Sequence, residues 1–357
     1  MVSISYLSSW IYFLFFFIFV YLINRSRGVI GIRKYGNIAF LLIYLFAIFR
    51  YDIGSDYHAY WQMVTVGSDK TRELLSGFII DFVSYVEFPP LIFIIFSTIS
   101  LLSYKTVIDK YSSLRALSWY FYFSFPVLFL QDCSTIRNSA AMAFFFLAFV
   151  FADKGEYLKA VVCMAISPLF HDTGYISFGF LFLPLVKRID LKLNILFFVA
   201  SFFAGSLVEK LVVSYLAGLG VGDHFMRYVS AESGGLNSLQ IVFYFINISN
   251  LLFYKKLTKG YPSNALMITL ANFGMCLYNI LRIEPISAIR FYCYFIFFEA
   301  ILIPYYRNIF ARFVSSKSFA NLVLVILMFS LQLMMVIRYI SVNNSDLAPY
   351  RVWLNYI

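Results

Sequence analysis

Long apolar runs alternate with short loops of Lys, Arg and turn residues, near 3–23, 36–50, 89–104, 116–131, 137–152, 157–171, 174–186, 193–216, 238–254, 263–281, 286–304 and 319–340. A helix needs about 20 apolar residues to cross a bilayer. The pattern therefore predicts an all-α, polytopic membrane protein with about 12 transmembrane helices in a single transmembrane domain over residues 1–357. Runs 36–50 and 174–186 are short for a crossing, so tilted, interfacial or re-entrant pieces are expected there. Two connecting segments are long enough to fold over the membrane and cap a cavity: 51–88, with an amphipathic stretch from Glu73 to Glu87, and 217–237.

Composition narrows the class. The 357 residues are 62% hydrophobic and 13% charged, against roughly 25% charged in a soluble chain. A soluble surface is excluded, and membrane lipids are the first partner. A net charge of +10 suits nucleic acid only if the 28 Lys and Arg share one soluble face, and they are dispersed among short loops. Nucleic acid is set aside. The four cysteines stand singly, without a CxxC pair, so neither a disulfide framework nor a cysteine zinc site is indicated.

The basic residues also orient the chain. Alternate loops, from Arg25 to Lys34 through Arg307 to Lys317, hold eighteen, whereas the opposite loops hold nine. The first set is expected to be cytoplasmic, with both termini and residues 51–88 and 217–237 periplasmic. The first run has no basic residue before it and four after it, which reads as an anchor and not a cleaved signal. The outer side then holds His58, His171, His224 and most of the acids, mixed with arginine, as a site for polar chemistry requires. The cytoplasmic side reads as topology signal alone, and Cys133 is expected to be reachable from outside.

Four outer clusters carry candidate chemistry. Arg50-Tyr-Asp-Ile-Gly-Ser-Asp-Tyr-His-Ala-Tyr-Trp61 brings one guanidinium, two carboxylates and several rings to the interface. Tyr57, Tyr60 and Trp61 offer flat faces to sugars, and Arg50 offers a fork to phosphate oxygens. An aromatic belt with a snorkelling arginine is the structural alternative. Asp52 and Asp56 alone are a poor metal set, so no metal is assigned. In the second cluster, Arg137 is followed by Ser139-Ala-Ala-Met-Ala, whose small side chains let a neighbouring helix pack closely. The third, Phe170-His171-Asp172-Thr-Gly174, is a turn between apolar runs. The fourth, Arg282-Ile-Glu-Pro-Ile-Ser-Ala-Ile-Arg290, puts Arg290 about one turn inside a span. Insertion there costs about 2.5 to 3.5 kcal/mol, which predicts an anion or a water-filled cavity beside it.

With these motifs the chain resembles the EpsG-like branch of Wzy-type bacterial polysaccharide polymerases. The likeness rests on RYDIGSDYHAYW at 50–61, IRNSAAMAFFFLAF at 136–149, ISPLFHDTGYI at 166–176 and AIRFYCYF at 288–295. It implies a GT-C-like glycosyltransferase of the bacterial inner membrane with its active site facing the periplasm. Its substrate would be an undecaprenyl-pyrophosphate-linked oligosaccharide, and a flippase and a chain-length regulator of the same pathway would be partners. The growing glycan would pass from undecaprenyl pyrophosphate to the non-reducing end of a lipid-linked repeat, without a cofactor. On this likeness His171, Arg137 and Arg290 are the catalytic candidates, with Arg50, Asp52, Asp56, Tyr57, Tyr60, Trp61, Arg282 and Asp172 binding substrate. Asp172 competes with His171 for the role of base, or orients its ring.

Two rivals stand beside this reading. An O-antigen ligase needs the same donor site. A flippase needs polar residues along the whole membrane depth, whereas here they concentrate on one side of the sequence-derived topology.

Overall fold

The computed structural model describes residues 10–67, 73–125, 127–219, 238–282, 284–314, 316–341 and 351–355. These are helical almost throughout, apart from a two-residue antiparallel pairing of β1 (Arg50–Tyr51) with β2 (Arg351–Val352). Among the described residues seven helices are long and apolar enough to cross a membrane, and five shorter apolar helices accompany them. The chain is thus a multi-pass membrane protein, organised as two compact units: Met1–Leu181 with Ile303–Ile357, and Phe182–Leu302.

The first unit begins with α1 (Trp10–Arg25), α2 (Gly28–Phe49) and the short α3 (Tyr57–Gln62). It continues through α4 (Leu74–Val86), α5 (Pro90–Tyr111), α6 (Arg115–Ser124), α7 (Phe129–Ser134), α8 (Ile136–Asp153) and α9 (Tyr157–Phe170). The apolar run at 36–50 belongs to a longer helix than its composition indicates, because α2 runs for 22 residues. Arg33 and Lys34 lie within it, since their aliphatic stems suit a helix while their heads reach out.

Helix α6 forms the centre of this unit. It is buried on every side, and Leu117, Trp119, Phe121 and Phe123 are all 0% exposed. Phe123 stacks on Phe15 of α1 with centroids 4.6 Å apart and meets Phe46 of α2 edge-on at 5.7 Å. The expected run at 116–131 is therefore not one straight helix. It divides after Ser124, where Phe125 is extended (φ −88, ψ 120) immediately before Pro126 in the sequence. A residue preceding proline is pushed out of the helical region in this way.

The short run at 174–186 has a different solution. Asp172–Phe182 is a 3-10 helix of 11 residues, continued by α10 (Leu183–Val186). A 3-10 helix rises about 2.0 Å per residue against about 1.5 Å in an α-helix, so these elements reach roughly 28 Å. That approaches the thickness of the hydrocarbon layer.

At the opposite end of α5 the charged loops are interlocked. Asp109 pairs with Lys105 and with Arg115, whose Nη1 is 3.1 Å away, and Asp153 receives the Tyr111 hydroxyl at 2.5 Å and Lys110 at 3.2 Å. The basic residues of this end hold helices together, beyond any role in marking orientation.

The second unit comprises α11 (Leu191–Leu219), α12 (Ser238–Leu252), α13 (Tyr254–Thr258), α14 (Ser263–Leu281) and the first part of α15 (Pro285–Val314). The remainder of α15 and α16 (Lys317–Ser341) belong to the first unit. Buried amides join the second unit's helices. Asn194 donates to Thr269 Oγ1 at 3.0 Å, Asn247 to Asn272 Oδ1 at 3.0 Å, and Asn250 to Glu299 Oε1 at 2.6 Å. Further along, Asn279 donates to Ser201 Oγ at 2.8 Å and accepts the Tyr244 hydroxyl at 2.6 Å. Polar groups thus extend along these helices and are not confined to one side, as the sequence had indicated. They mostly satisfy one another, which makes them interhelical ties. Of the expected outer segment 217–237, residues 220–237, including His224, lie outside the described residues.

Candidate functional site

Three of the four polar clusters meet at the beginning of α8. Its first turn carries Arg137 and Asn138, and the chain segments around Arg50–Trp61, Glu73 and His171 all bond to this end of the first unit. The small residues after Arg137 allow the approach. Asn138, Ser139, Ala140 and Ala141 are at most 2% exposed, and Ser167 Oγ of α9 donates to the Ala141 carbonyl at 2.8 Å. Close packing also explains Gly174, where an added Cβ would lie 2.5 Å from the Ser167 carbonyl carbon.

Arg137 Nη1 lies 2.6 Å from Glu73 Oε2, and its guanidinium carbon is 6.0 Å from the Tyr60 ring centroid. Its Nε is buried without a hydrogen-bond partner. The fork is therefore only partly occupied, which leaves donor capacity for an anion. Tyr60 is itself buried; burial pushes its hydroxyl above the usual range, with the Arg137 cation opposing. The phenol stays neutral at ordinary pH.

His171 caps the end of α9 in an extended conformation, with Nδ1 2.8 Å from Thr173 Oγ1. That hydroxyl donates to Asn138 Oδ1 at 2.6 Å, and the Asn138 amide nitrogen faces Met142 Sδ at 3.7 Å. The Thr173 backbone N–H donates to the same Nδ1 at 3.2 Å, so the ring is held at Nδ1 by both polar groups of Thr173, the hydroxyl being tied in turn to Asn138. Asp172 is exposed, and it is Thr173 and Asn138 that hold the imidazole.

The first cluster divides into buried and accessible parts. Arg50 is 0% exposed; it donates to the Ala47 carbonyl at 2.6 Å, to Ser97 Oγ at 3.0 Å and to the Cys133 carbonyl at 3.5 Å, and lies 5.0 Å from the Phe93 centroid. A small cavity of about 10 Å³ is lined by Arg50 and Asp132 among others. Asp132 accepts hydroxyl hydrogen bonds from Ser139 and Tyr122, both at 2.6 Å, and from Tyr104 at 3.3 Å. Arg50 thus sits inside the wall of the site as a strut. Tyr57 is 1% exposed and stacked on Phe93 with centroids 4.3 Å apart, so it does not offer an open face. Trp61, Asp56 and the Asp52–His58 pair, 2.8 Å between Oδ1 and Nε2, are the accessible members. Gly54 lets this segment press on the next cluster: its φ is +105, and an added Cβ would lie 2.5 Å from the Cys133 carbonyl oxygen. Cys133, expected to be reachable from outside, is only 2% exposed because it lies under this contact.

Arg282 and Arg290 belong to the second unit. Arg282 donates to Ser206 Oγ at 3.0 Å. Glu284 caps the start of α15 through the Ser287 N–H at 2.8 Å, so it is engaged with backbone. Arg290 Nε is buried without a hydrogen-bond partner. Among the described residues no three His, Cys, Asp or Glu side chains gather in a group suited to a metal ion.

The family model for the EpsG family matches residues 33–352. The chain belongs to the EpsG family. No curated protein and no solved structure matches it. Membership in the EpsG family points to a Wzy-like polymerase or a related glycosyltransferase, and the matched region includes all four clusters. Asp132 and Asn138 stand in the same sequence cluster as Arg137 but had no role assigned, and Glu73 and the tyrosines around Asp132 were not among the expected site residues.

Proposed function

We propose that the protein is a polysaccharide polymerase that transfers a growing glycan from undecaprenyl pyrophosphate to the non-reducing end of a lipid-linked repeat at the periplasmic side of the inner membrane. About twelve crossings in a GT-C-like arrangement go with this reading. The observation that carries it is the pair of neighbours Arg137 and Asn138: one presents a guanidinium paired with Glu73 and still 21% exposed, and the other fixes, through Thr173, the ring of His171.

In the reaction the acceptor hydroxyl oxygen attacks the anomeric carbon of the donor sugar. The bond from that carbon to the phosphate oxygen breaks, and the electron pair leaves with the pyrophosphate. His171 takes the acceptor proton, a task suited to an imidazole. Charge grows on the leaving oxygen as the bond opens, so an arginine held beside it stabilises the transition state more than the ground state. Arg137 fills that role. Trp61, half-buried with Tyr57 stacked beside it, supplies its remaining face to a sugar ring, with Asp52 and Asp56 accepting sugar hydroxyls. Pyrophosphate is a good leaving group, and no separate acid or cofactor is assigned.

Incubating the purified full-length protein with a lipid-linked repeat tests the proposal directly. A ladder of products differing by one repeat supports it. Unchanged repeat in a preparation that is monodisperse and binds the donor sinks it.

A further inference from the structure

At the end of the first unit where α1 gives way to α2, an open cleft of about 600 Å³ lies between the two helices. Its polar rim is Asn24, Arg25 and Arg27, and its lower wall is Phe17, Tyr21 and Tyr35. Neither arginine forms an ion pair among the described residues, and Arg25 lies over the Tyr21 ring, 5.5 Å from its centroid. Arg27 is also the N-cap residue of α2 and makes no side-chain cap bond; the first turn of that helix contains no acid. The uncapped N–H groups add positive potential to that of the two guanidinium groups.

The wall has the opposite character. Phe17 is 67% exposed and Tyr21 54%, on a helix of membrane-spanning hydropathy, and Val29 and Ile30 beside the rim are exposed as well. A free anion uses only the rim. An amphiphile with an anionic head and hydrocarbon tails uses both.

We propose that this cleft binds an anionic phospholipid, its phosphate between Arg25 and Arg27 and its acyl chains along Phe17 and Tyr21. The site is independent of the polymerase reading. By the charge bias of the loops it faces the cytoplasmic leaflet, the side opposite the proposed chemistry. Basic pockets at the cytoplasmic ends of transmembrane helices suit phospholipid heads, and the arginine fork favours phosphate oxygens over a neutral or zwitterionic head.

The experiment uses the full-length protein in detergent micelles containing phosphatidylglycerol or phosphatidylethanolamine, with bound lipid counted by native mass spectrometry after washing. Wild type should retain phosphatidylglycerol in preference to phosphatidylethanolamine. Arg25→Gln with Arg27→Gln should weaken that retention by about tenfold or more, as expected from losing hydrogen bonds to a charged group. Lys255→Gln with Lys256→Gln, in another basic loop, should leave it unchanged. Wild-type retention by the Arg25/Arg27 pair, or an equal loss in the lysine pair, overturns the site. Complete displacement of the lipid by millimolar inorganic phosphate overturns the lipid assignment in favour of a free anion. The milder pair Arg25→Lys and Arg27→Lys keeps charge and stem, and its retention should fall between wild type and the glutamine pair while the elution profile stays that of folded protein.

Discussion

Arg137 and Glu73 form a 2.6 Å ion pair between residues 64 positions apart, tying the start of α8 to the residue that precedes α4. The pair orients a guanidinium whose Nε remains without a partner. Arg137→Lys keeps the charge and loses the fork, so polymerisation should fall by roughly tenfold or more while the amount of protein in the membrane is unchanged. Lys317→Ala, at the far end of the chain's charge pattern, should be silent. Initial rates of ladder formation alongside membrane-fraction blots distinguish the two.

The imidazole of His171 is fixed by Thr173, whose hydroxyl is fixed in turn by Asn138. His171→Ala should lose about 10² to 10⁴ in elongation rate, the usual worth of a positioned general base. Thr173→Ser keeps the hydroxyl and should stay near wild type, whereas Thr173→Val should lose activity because the ring loses the hydroxyl that ties it to Asn138. Asp172→Asn should be mild, since that side chain is exposed and does not hold the ring. Rates measured with saturating donor decide among these. Wild-type elongation in His171→Ala would make the histidine structural.

Which motifs belong together was legible because each joins a strong charge to small or turn residues at the end of an apolar run. Gly54 against Cys133 and Ser167 against Ala141 show why: these small residues let the segments touch. What each charged group bonds to was not legible. Arg50 reads as an interfacial fork in one dimension, but it is wholly buried, with Nη1 bonded to Ala47 and Ser97 and only Nε without a partner. Nor does anything local mark Glu73 as the partner of Arg137. The 3-10 helix after His171 escaped the sequence for a related reason, because apolar period and length do not separate it from a short α-helix.

Arg50 is expected to act through the fold. It is wholly buried beside the small cavity it shares with Asp132, and removing it breaks its hydrogen bonds to Ala47, Ser97 and Cys133, at a cost of about 1 to 3 kcal/mol. Arg50→Met should therefore lower the thermal unfolding temperature in detergent and reduce the yield of folded protein. Rate per folded molecule should change far less. A normal melting curve with lost activity would return Arg50 to the substrate site.

Glu299 is 1% exposed and accepts the Asn250 amide at 2.6 Å, while its other oxygen has no partner. Glu299→Gln preserves an acceptor for Asn250 and should be tolerated in stability and activity alike. Glu299→Leu removes the acceptor that Glu299 offers Asn250 and should cost about 1 to 3 kcal/mol, read as a lower unfolding temperature. Loss of activity in a fully stable Glu299→Gln would instead give the carboxyl a chemical task.

Orientation is testable at residues chosen for exposure. Cys133 is unsuitable, being buried under Gly54, whereas Ala59 in α3 and Lys154 at the end of α8 are exposed. The two lie at opposite ends of the charge pattern: Ala59 is within the Arg50 cluster, and Lys154 follows the helix whose first turn carries Arg137. With Cys133 left in place, Ala59→Cys should react with a membrane-impermeant maleimide in intact spheroplasts, and Lys154→Cys should react only after the membrane is opened. Labelling in the reverse pattern would turn the protein over, move the Arg137–His171 site to the cytoplasm and remove the lipid-linked periplasmic repeat as its substrate.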